Sequence, residues 1–156
     1  MTVRTLSILT ALVLASSTAR ADVAIGGFVG EPTGLDVKLG LADHSALDLL
    51  FGSTIYHEFG GALYGHLTYL VTPVVSHGES VLVPLRVGIG VAVFDNSSTV
   101  DRWDVGARFP VELALRFRSA PLELYGELAL LLTFINPADN RPFADIQGGI
   151  GIRFYF

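Results

Sequence analysis

Apolar and polar residues alternate along most of the chain after residue 21, and this period of two predicts β-strands with one apolar face. Turn-forming Gly, Pro, Asn, Asp and Ser residues divide the alternation into eight segments. The predicted strands are residues 22–30, 34–41, 45–52, 62–72, 81–94, 105–117, 122–134 and 143 to the end. Residues 73–80 are predicted to form a loop, and no linker divides the chain. The pattern therefore predicts one all-β domain.

The two faces of these strands differ sharply in charge. One face is entirely apolar, as in the run Leu35, Val37, Leu39 and Leu41 of the second strand. The opposite face carries five basic and six acidic residues: Lys38, Arg86, Arg108, Arg116, Arg153, Asp36, Asp48, Glu112, Glu123, Glu127 and Asp145. Such near balance fits a closed interior in which each buried charge needs a partner.

Small residues also concentrate on the charged face. They are Gly40, Gly88, Gly90, Ala92, Ala114, Ala129, Gly149 and Gly151. A narrow interior shared by long side chains needs small neighbours, whereas a solvated surface does not. We therefore predict that the charged face points inward and the apolar face outward, as in membrane barrels. The alternative is a soluble, lipocalin-like binding barrel with the apolar face inside.

Residues 1–21 have the form of a secretory signal peptide. Arg4 precedes an apolar core, and Ala19-Arg20-Ala21 fits an A-x-A cleavage site. The barrel domain would then be residues 22–156. Cleavage would leave eight of the ten basic residues against all 15 acidic ones, a charge that argues against nucleic-acid binding.

Composition narrows the class further. The chain has no cysteine, so no disulfide closes the domain, and a barrel without open edges is one way to close it instead. The hydrophobic fraction is 51% against 16% charged residues. The longest charge-free run, residues 59–78, contains Pro73 and alternates in polarity, which argues against a spanning helix.

The last strand ends on alternating apolar residues, Ile152, Phe154 and Phe156, and resembles the terminal strand of bacterial outer-membrane barrels. Further stretches resemble small OmpA/OmpX-type barrels, and more closely an uncharacterised family of small exported barrels. They are residues 30–35, 84–90, 108–111, 122–127 and 149–156. The resemblance implies an eight-stranded, antiparallel, up-and-down transmembrane barrel in the bacterial outer membrane. It also implies that Ile152, Phe154 and Phe156 form the signal read by the barrel assembly machinery.

Aromatic residues near the strand ends are typical of the two girdles where such barrels meet the lipid headgroups. One predicted rim has Tyr69, Phe117, Phe154 and Phe156, and the other has Phe51, Phe109 and Phe134. Pro84 and Pro110 lie inside strands with inward parity. Each removes a donor from the ladder, so we expect a bulge or a gap at each.

The charged face suggests a salt-bridged plug, because eight strands enclose a space that side chains can fill. A small passive channel is the alternative. A lipid-modifying outer-membrane enzyme is less favoured. Its candidate residues are Ser53, Ser76, Ser97, Ser98, His57 and His77, without a defined triad. The histidines have no metal-ligand spacing, and we expect neither metal nor cofactor. Loops 53–61 and 95–104 are candidates for binding a surface ligand. The predicted role is therefore structural or interaction-based, with outer-membrane lipid as the surroundings.

Overall fold

The computed structural model describes residues 22–54, 62–95, 103–135 and 143–156. These residues form eight strands: β1 (Val23–Glu31), β2 (Thr33–Ala42), β3 (Ser45–Ser53), β4 (Leu63–His77), β5 (Val81–Asp95), β6 (Trp103–Phe117), β7 (Leu122–Ile135) and β8 (Phe143–Tyr155). The predicted segments 1–21, 55–61, 96–102 and 136–142 lie outside the described residues. The described part contains no helix long and apolar enough to cross a membrane.

The strands close into one antiparallel barrel. Each strand pairs with the next along the chain, and β1 pairs with β8. The predicted all-β, eight-stranded up-and-down barrel is therefore confirmed. One rim, which we call the termini rim, holds both ends of the barrel domain and the turns at residues 43–44, 78–80 and 118–121. The opposite rim, which we call the loop rim, holds the turn at Pro32 between β1 and β2.

The charged face points inward. Arg108, Glu112 and Arg153 are completely buried, whereas the apolar Leu128 and Ile150 are 66% and 70% exposed. A soluble barrel with an apolar interior requires the reverse arrangement, so the chain does not have that fold. The interior still includes apolar side chains on the charged face, among them Phe28, Leu50 and Leu131.

Residues 73–77 are strand rather than the predicted loop. β4 continues to His77 across a register shift between Val71 and Val74, and this shift accommodates Pro73. Pairing of β3 with β4 ends at Ser45 and Val71. Beyond that point β4 is held through β5, and proline is tolerated because a strand edge needs no donor there. Alternation could not show this, since the bulge changes the parity of the strand.

The two inward prolines interrupt one seam of the barrel. Pairing between β5 and β6 skips the positions of Pro84 and Pro110 and resumes in the same register. The expected irregularity is therefore confirmed as a gap at both sites, without a bulge between these two strands. Pro84 still aligns with Val75 in β4, and Pro110 aligns with Ala129 in β7.

Candidate functional site: the charged barrel interior

Arg153 is the centre of the largest polar cluster. Its guanidinium donates hydrogen bonds to Asp36 Oδ2 at 2.5 Å, Asp48 Oδ1 at 2.6 Å, Glu112 Oε2 at 2.7 Å and Glu123 Oε1 at 3.3 Å. The four acceptors lie on β2, β3, β6 and β7, while Arg153 lies on β8. One side chain therefore joins five strands across the interior. Only a planar group with donors along two edges can reach so many carboxylates.

Two further cations extend this cluster. Arg86 on β5 pairs with Glu112 and donates to Glu123 Oε2 at 2.7 Å. Lys38 Nζ lies 3.5 Å from Glu123 Oε1 and donates to the Tyr155 hydroxyl, which donates to Glu123 Oε2 at 3.0 Å. With these contacts Glu123 has partners on β2, β5 and β8. We call Arg153, Arg86, Lys38, Asp36, Asp48, Glu112 and Glu123 the Arg153 cluster.

Tyrosine completes the surroundings of Arg153. The Tyr125 hydroxyl donates to Asp36, and the Arg153 guanidinium lies over the Tyr125 ring, 3.6 Å from its centroid. Phe28 stacks on the same ring with centroids 5.7 Å apart. The ring is thus held between a cation and an apolar neighbour, and its hydroxyl fixes one of the carboxylates.

A smaller polar group lies nearer the loop rim. Arg108 forms an ion pair with Glu127 and donates through Nε to Gln147 Oε1 at 3.3 Å. The same amide oxygen accepts a hydrogen bond from the Tyr64 hydroxyl at 2.8 Å. We call Arg108, Glu127, Gln147 and Tyr64 the Arg108 cluster. His66 connects the two levels, since its ring meets Tyr64 edge-on and its Nε2 lies 3.4 Å from Asp48 Oδ2.

The charges of the two clusters nearly cancel. The Arg153 cluster has three cations and four carboxylates, and the Arg108 cluster has one of each. All nine side chains are buried. Buried charges stay in a low-dielectric interior only when paired and hydrogen-bonded, and these contacts meet that requirement. The arrangement is suited to tying strands together and to blocking the interior.

Glycine provides the space for these side chains. A Cβ at Gly151 would collide with the Tyr125 ring, and one at Gly149 would come within 2.8 Å of Phe28 Cζ. A Cβ at Gly88 would come within 2.8 Å of Leu70 Cδ2. The sequence argument from small residues on the charged face therefore corresponds to particular contacts inside the barrel.

Two of the eleven proposed network residues lie outside these clusters. Arg116 stacks on the Tyr155 ring at 3.8 Å and pairs with Asp22 at 3.0 Å, at the termini rim. Its side chain is 33% exposed. Asp145 is half-buried near the loop rim and accepts a hydrogen bond from the Ile146 backbone N–H at 2.8 Å.

The seven proposed girdle aromatics all lie on the outer face. Phe117, Phe154 and Phe156 lie near the termini rim, and Phe51 and Phe134 lie near the loop rim. Tyr69 and Phe109 instead lie in the middle of β4 and β6, aligned with Ile89 and Leu130. β4 continues five residues past its predicted end, which places Tyr69 in mid-strand, and β6 begins two residues before its predicted start. The girdle role of these residues stays a prediction.

The proposed assembly signal lies on the outer face of β8. Ile152 aligns with Gly27 and Phe154 with Ile25, both on β1. Phe156 is 81% exposed, and its backbone N–H donates to the Val23 carbonyl at 2.9 Å. The C-terminal residue therefore joins the strand that closes the barrel, with its ring directed outward.

The sequence reasoning did not assign Tyr64, Tyr125, Tyr155 or Gln147 to the network. Strand parity indicates all four. Tyr125 shares parity with Glu123 and Glu127 on β7. Tyr155 and Gln147 share parity with Arg153 on β8, and Tyr64 shares parity with His66 on β4. A search for charges alone misses hydroxyl and amide groups, which satisfy the remaining hydrogen bonds of ionic clusters.

The enzyme candidates do not assemble in the described residues. Ser53 lies at the loop rim, whereas Ser76 and His77 lie in the β4–β5 hairpin at the termini rim. His77 Nδ1 contacts the carbonyl of Val75 at 3.1 Å. His57, Ser97 and Ser98 fall outside the described residues. Within residues 22–54, 62–95, 103–135 and 143–156, no group of three or more His, Asp or Glu side chains is placed to hold a metal.

A crystal structure of the N-terminal β-barrel domain of Pseudomonas aeruginosa OprF shares this fold. The match has a TM-score of 0.58, 16% identity, and covers 87% of this chain and 96% of that domain. It confirms the resemblance to small OmpA-like barrels at the level of the fold. No protein-family model and no curated protein sequence matches the chain.

Proposed function

We propose that the chain is an integral barrel of the bacterial outer membrane with a structural or interaction role and a plugged interior. The observation that supports the location best is the inverted polarity, with apolar rows outside and paired charges inside. An aqueous exterior would leave this continuous apolar surface unfavourably hydrated, whereas lipid solvates it. The turns at the termini rim are short, and three of the four connections at the loop rim, residues 54–62, 96–102 and 136–142, are longer. Apart from the turn at Pro32, this agrees with the usual periplasmic and extracellular arrangement.

The plug rests on Arg153. Its contacts with carboxylates from four other strands place a dense ionic layer across the interior, and an eight-stranded barrel is narrow enough for side chains to fill it. Such a layer cross-links the wall and opposes passage of ions. These contacts hold the geometry of the wall and involve no reactive group, which supports the proposed structural role.

A small passive channel is the second candidate. It is favoured by polar atoms in the part of the interior near the loop rim: His66 Nδ1, Thr68 Oγ1 and Gln147 Nε2 make no hydrogen bond within the described residues. Such buried polar groups are commonly hydrated. A water path there would still have to pass the Arg153 cluster to reach the termini rim.

Cell fractionation combined with gel mobility tests the location. We expect the protein in the outer-membrane fraction, with different mobility in detergent gels before and after boiling. A periplasmic protein with a single mobility would contradict the proposal. The signal peptide at residues 1–21 stays a prediction, which the N-terminal sequence of the isolated protein would test. Binding of a ligand through loops 53–61 and 95–104 also stays a prediction.

A further inference from the structure

Opposite charges on the inner face are aligned directly across neighbouring strands at four places. We call these the opposed pairs: Lys38–Asp48 on β2 and β3, Arg86–Glu112 on β5 and β6, Arg116–Glu123 on β6 and β7, and Glu123–Arg153 on β7 and β8. Residues aligned in this way point to the same face of a sheet, with Cβ atoms about 4.5–5.5 Å apart, so their side chains can form an ion pair. One further aligned pair, Glu112–Glu127, joins like charges.

The closed barrel makes two of the opposed pairs and leaves the other two unmade. Arg86 contacts Glu112, and Arg153 Nη1 lies 3.3 Å from Glu123 Oε1. Lys38 and Arg116 have other partners. Lys38 Nζ lies 3.5 Å from Glu123 Oε1, and Arg116 Nη2 lies 3.0 Å from Asp22 Oδ2. Two cations therefore bypass the carboxylate that is directly opposite each of them.

The contacts that replace the unmade pairs all depend on closure of the barrel. Lys38 on β2 meets Glu123 on β7, and Asp48 on β3 accepts a hydrogen bond from Arg153 on β8 at 2.6 Å. Arg116 on β6 meets Asp22, which precedes β1. In an open sheet each of these contacts would have to cross five strand spacings, about 24 Å, which is beyond the reach of two side chains. Pairing of β1 with β8 brings the partners together across the interior.

Glu123 shows why Arg116 is displaced in the closed barrel. The carboxylate of Glu123 is occupied by Arg86 from β5, by Lys38 from β2 and by Arg153 and the Tyr155 hydroxyl from β8. Arg116 then lies over the Tyr155 ring, 3.8 Å from its centroid, at the termini rim. Before closure Lys38 is out of reach of Glu123, and the directly opposed Arg116 is within reach.

We propose that Lys38 and Arg116 change partners when the barrel closes. In the open sheet Lys38 pairs with Asp48 and Arg116 pairs with Glu123, and closure transfers the two cations to Glu123 and Asp22. The hairpins β2–β3 and β6–β7 therefore carry ion pairs of their own before β1 meets β8. Closure is the step at which contacts across the interior, above all those of Arg153, replace contacts between neighbouring strands.

Exchanging the charges of Lys38 and Asp48 in the full chain tests the first of these open-sheet pairs. The urea-unfolded protein is diluted into phosphatidylcholine vesicles, strand formation is followed by circular dichroism, and closure is followed by heat-dependent gel mobility. Lys38→Asp places like charges opposite each other, so we expect strand formation to slow about two- to fivefold. The double variant Lys38→Asp/Asp48→Lys restores an opposed pair, and its strand formation should return to the wild-type rate.

The same double variant separates the open sheet from the closed barrel. In the barrel its new carboxylate lies beside Glu123 and its new ammonium beside Arg153, so unfolding in urea should be roughly a hundredfold faster than for wild type. A double variant that forms strands at the wild-type rate but never closes supports the proposal equally. Strand formation as slow in the double variant as in Lys38→Asp would overturn it. A closed double variant as stable as wild type would also overturn it, because Lys38 and Asp48 would then be paired in the barrel as well.

Arg116 and Asp22 provide a matched comparison for the second open-sheet pair. Arg116→Gln and Asp22→Asn both remove the ion pair that these residues form in the closed barrel. Arg116→Gln alone also removes the opposed pair with Glu123. We therefore expect Arg116→Gln to slow strand formation about two- to fivefold and Asp22→Asn to leave the rate unchanged. Equal rates of strand formation in the two variants would overturn the exchange of partners at Arg116.

Discussion

At the scale of single residues, Arg153 has the largest structural role in the interior. It is fully buried and contacts four carboxylates, so removing it leaves an excess of unpaired negative charge. Arg116 is the natural comparison, because it has the same chemistry but lies partly exposed at the rim with one carboxylate partner. The sequence predicts the same interior role for both arginines. The structure buries Arg153 among four carboxylates and leaves Arg116 partly exposed at the rim, so we expect Arg153 to contribute more to stability.

We predict that Arg153→Ala destabilises the folded barrel by roughly 3–5 kcal/mol, the usual cost of leaving buried charges unpaired. Arg116→Ala should cost about 1 kcal/mol or less, because an exposed pair contributes little. Urea unfolding in lipid vesicles, followed by tryptophan fluorescence, measures both. Equal effects of the two substitutions would contradict the central position of Arg153.

Arg108 and Glu127 permit a test of pairing itself. Either Arg108→Met or Glu127→Leu alone should be strongly destabilising, by roughly 3–5 kcal/mol, since each leaves one buried charge. The double variant should be closer to wild type than the worse single variant, because apolar side chains can replace a buried pair. The same unfolding assay gives the coupling energy. Strictly additive losses would show that the pair does not act as a unit.

Gly151 is a position where the structure leaves no room for a larger residue. In Gly151→Ala the new methyl meets the Tyr125 ring, which cannot move without disturbing Asp36, Phe28 and Arg153. We expect a loss of about 1–3 kcal/mol, typical of overpacking. Gly126→Ala is the control, because the nearest atom to its added Cβ, Gly149 O, lies 3.9 Å away. Unfolding midpoints that fall equally in both variants would exclude the ring contact as the cause.

At the scale of the strands, alternation correctly predicts which residues point outward, as far as a bulge that exchanges the two faces. Leu113 lies on the outer face of β6, 55% exposed, and aligns with Leu85 and Gly126 on the neighbouring strands. Lipid can fill the space left by a smaller side chain on this face, but it cannot solvate a charge at mid-depth. The loss of stability caused by substitutions at Leu113 therefore shows whether lipid or protein surrounds the barrel.

We predict that Leu113→Arg costs roughly 2–4 kcal/mol when the barrel folds into vesicles. Leu113→Ala should cost far less, since no packed core collapses around it. Folding yield and urea unfolding in the same vesicles compare the two variants, and the corresponding pair at Leu128 provides a repeat on β7. A Leu→Ala loss as large as the Leu→Arg loss would indicate that the outer face packs against protein.

At the scale of the whole molecule, the interior charges decide between plug and channel. We predict little or no steady ion conductance when the purified protein is incorporated into planar bilayers, because the Arg153 cluster crosses the interior. Arg153→Ala, in the fraction that still folds, should conduct more than wild type. Large wild-type currents, with altered ion preference in a normally folded Glu127→Ala variant, would support the channel instead.

The sequence alone determined the strand number and the two faces. These follow from local rules: a period of two, turn residues at seven boundaries, and the exclusion of charge from one row. The antiparallel order was implied by the resemblance to outer-membrane barrels. The sequence also predicted irregular pairing at Pro84 and Pro110, because proline lacks the backbone N–H that donates to a neighbouring strand, whatever the position of the strand in the sheet. The extension of β4 past Pro73 was not predictable, since a bulge exchanges the faces that parity counts.

Only the tertiary structure decided which charges meet. Parity places Arg116 and Arg153 on the same face, but closure of the barrel sets one at the rim beside Asp22 and the other among Asp36, Asp48, Glu112 and Glu123. The heights at which the strands end have the same origin, because a strand's height depends on its register with every neighbour around the closed barrel. Alternation is a property of one strand, whereas pairing across the interior and the heights of the strand ends are properties of the closed sheet.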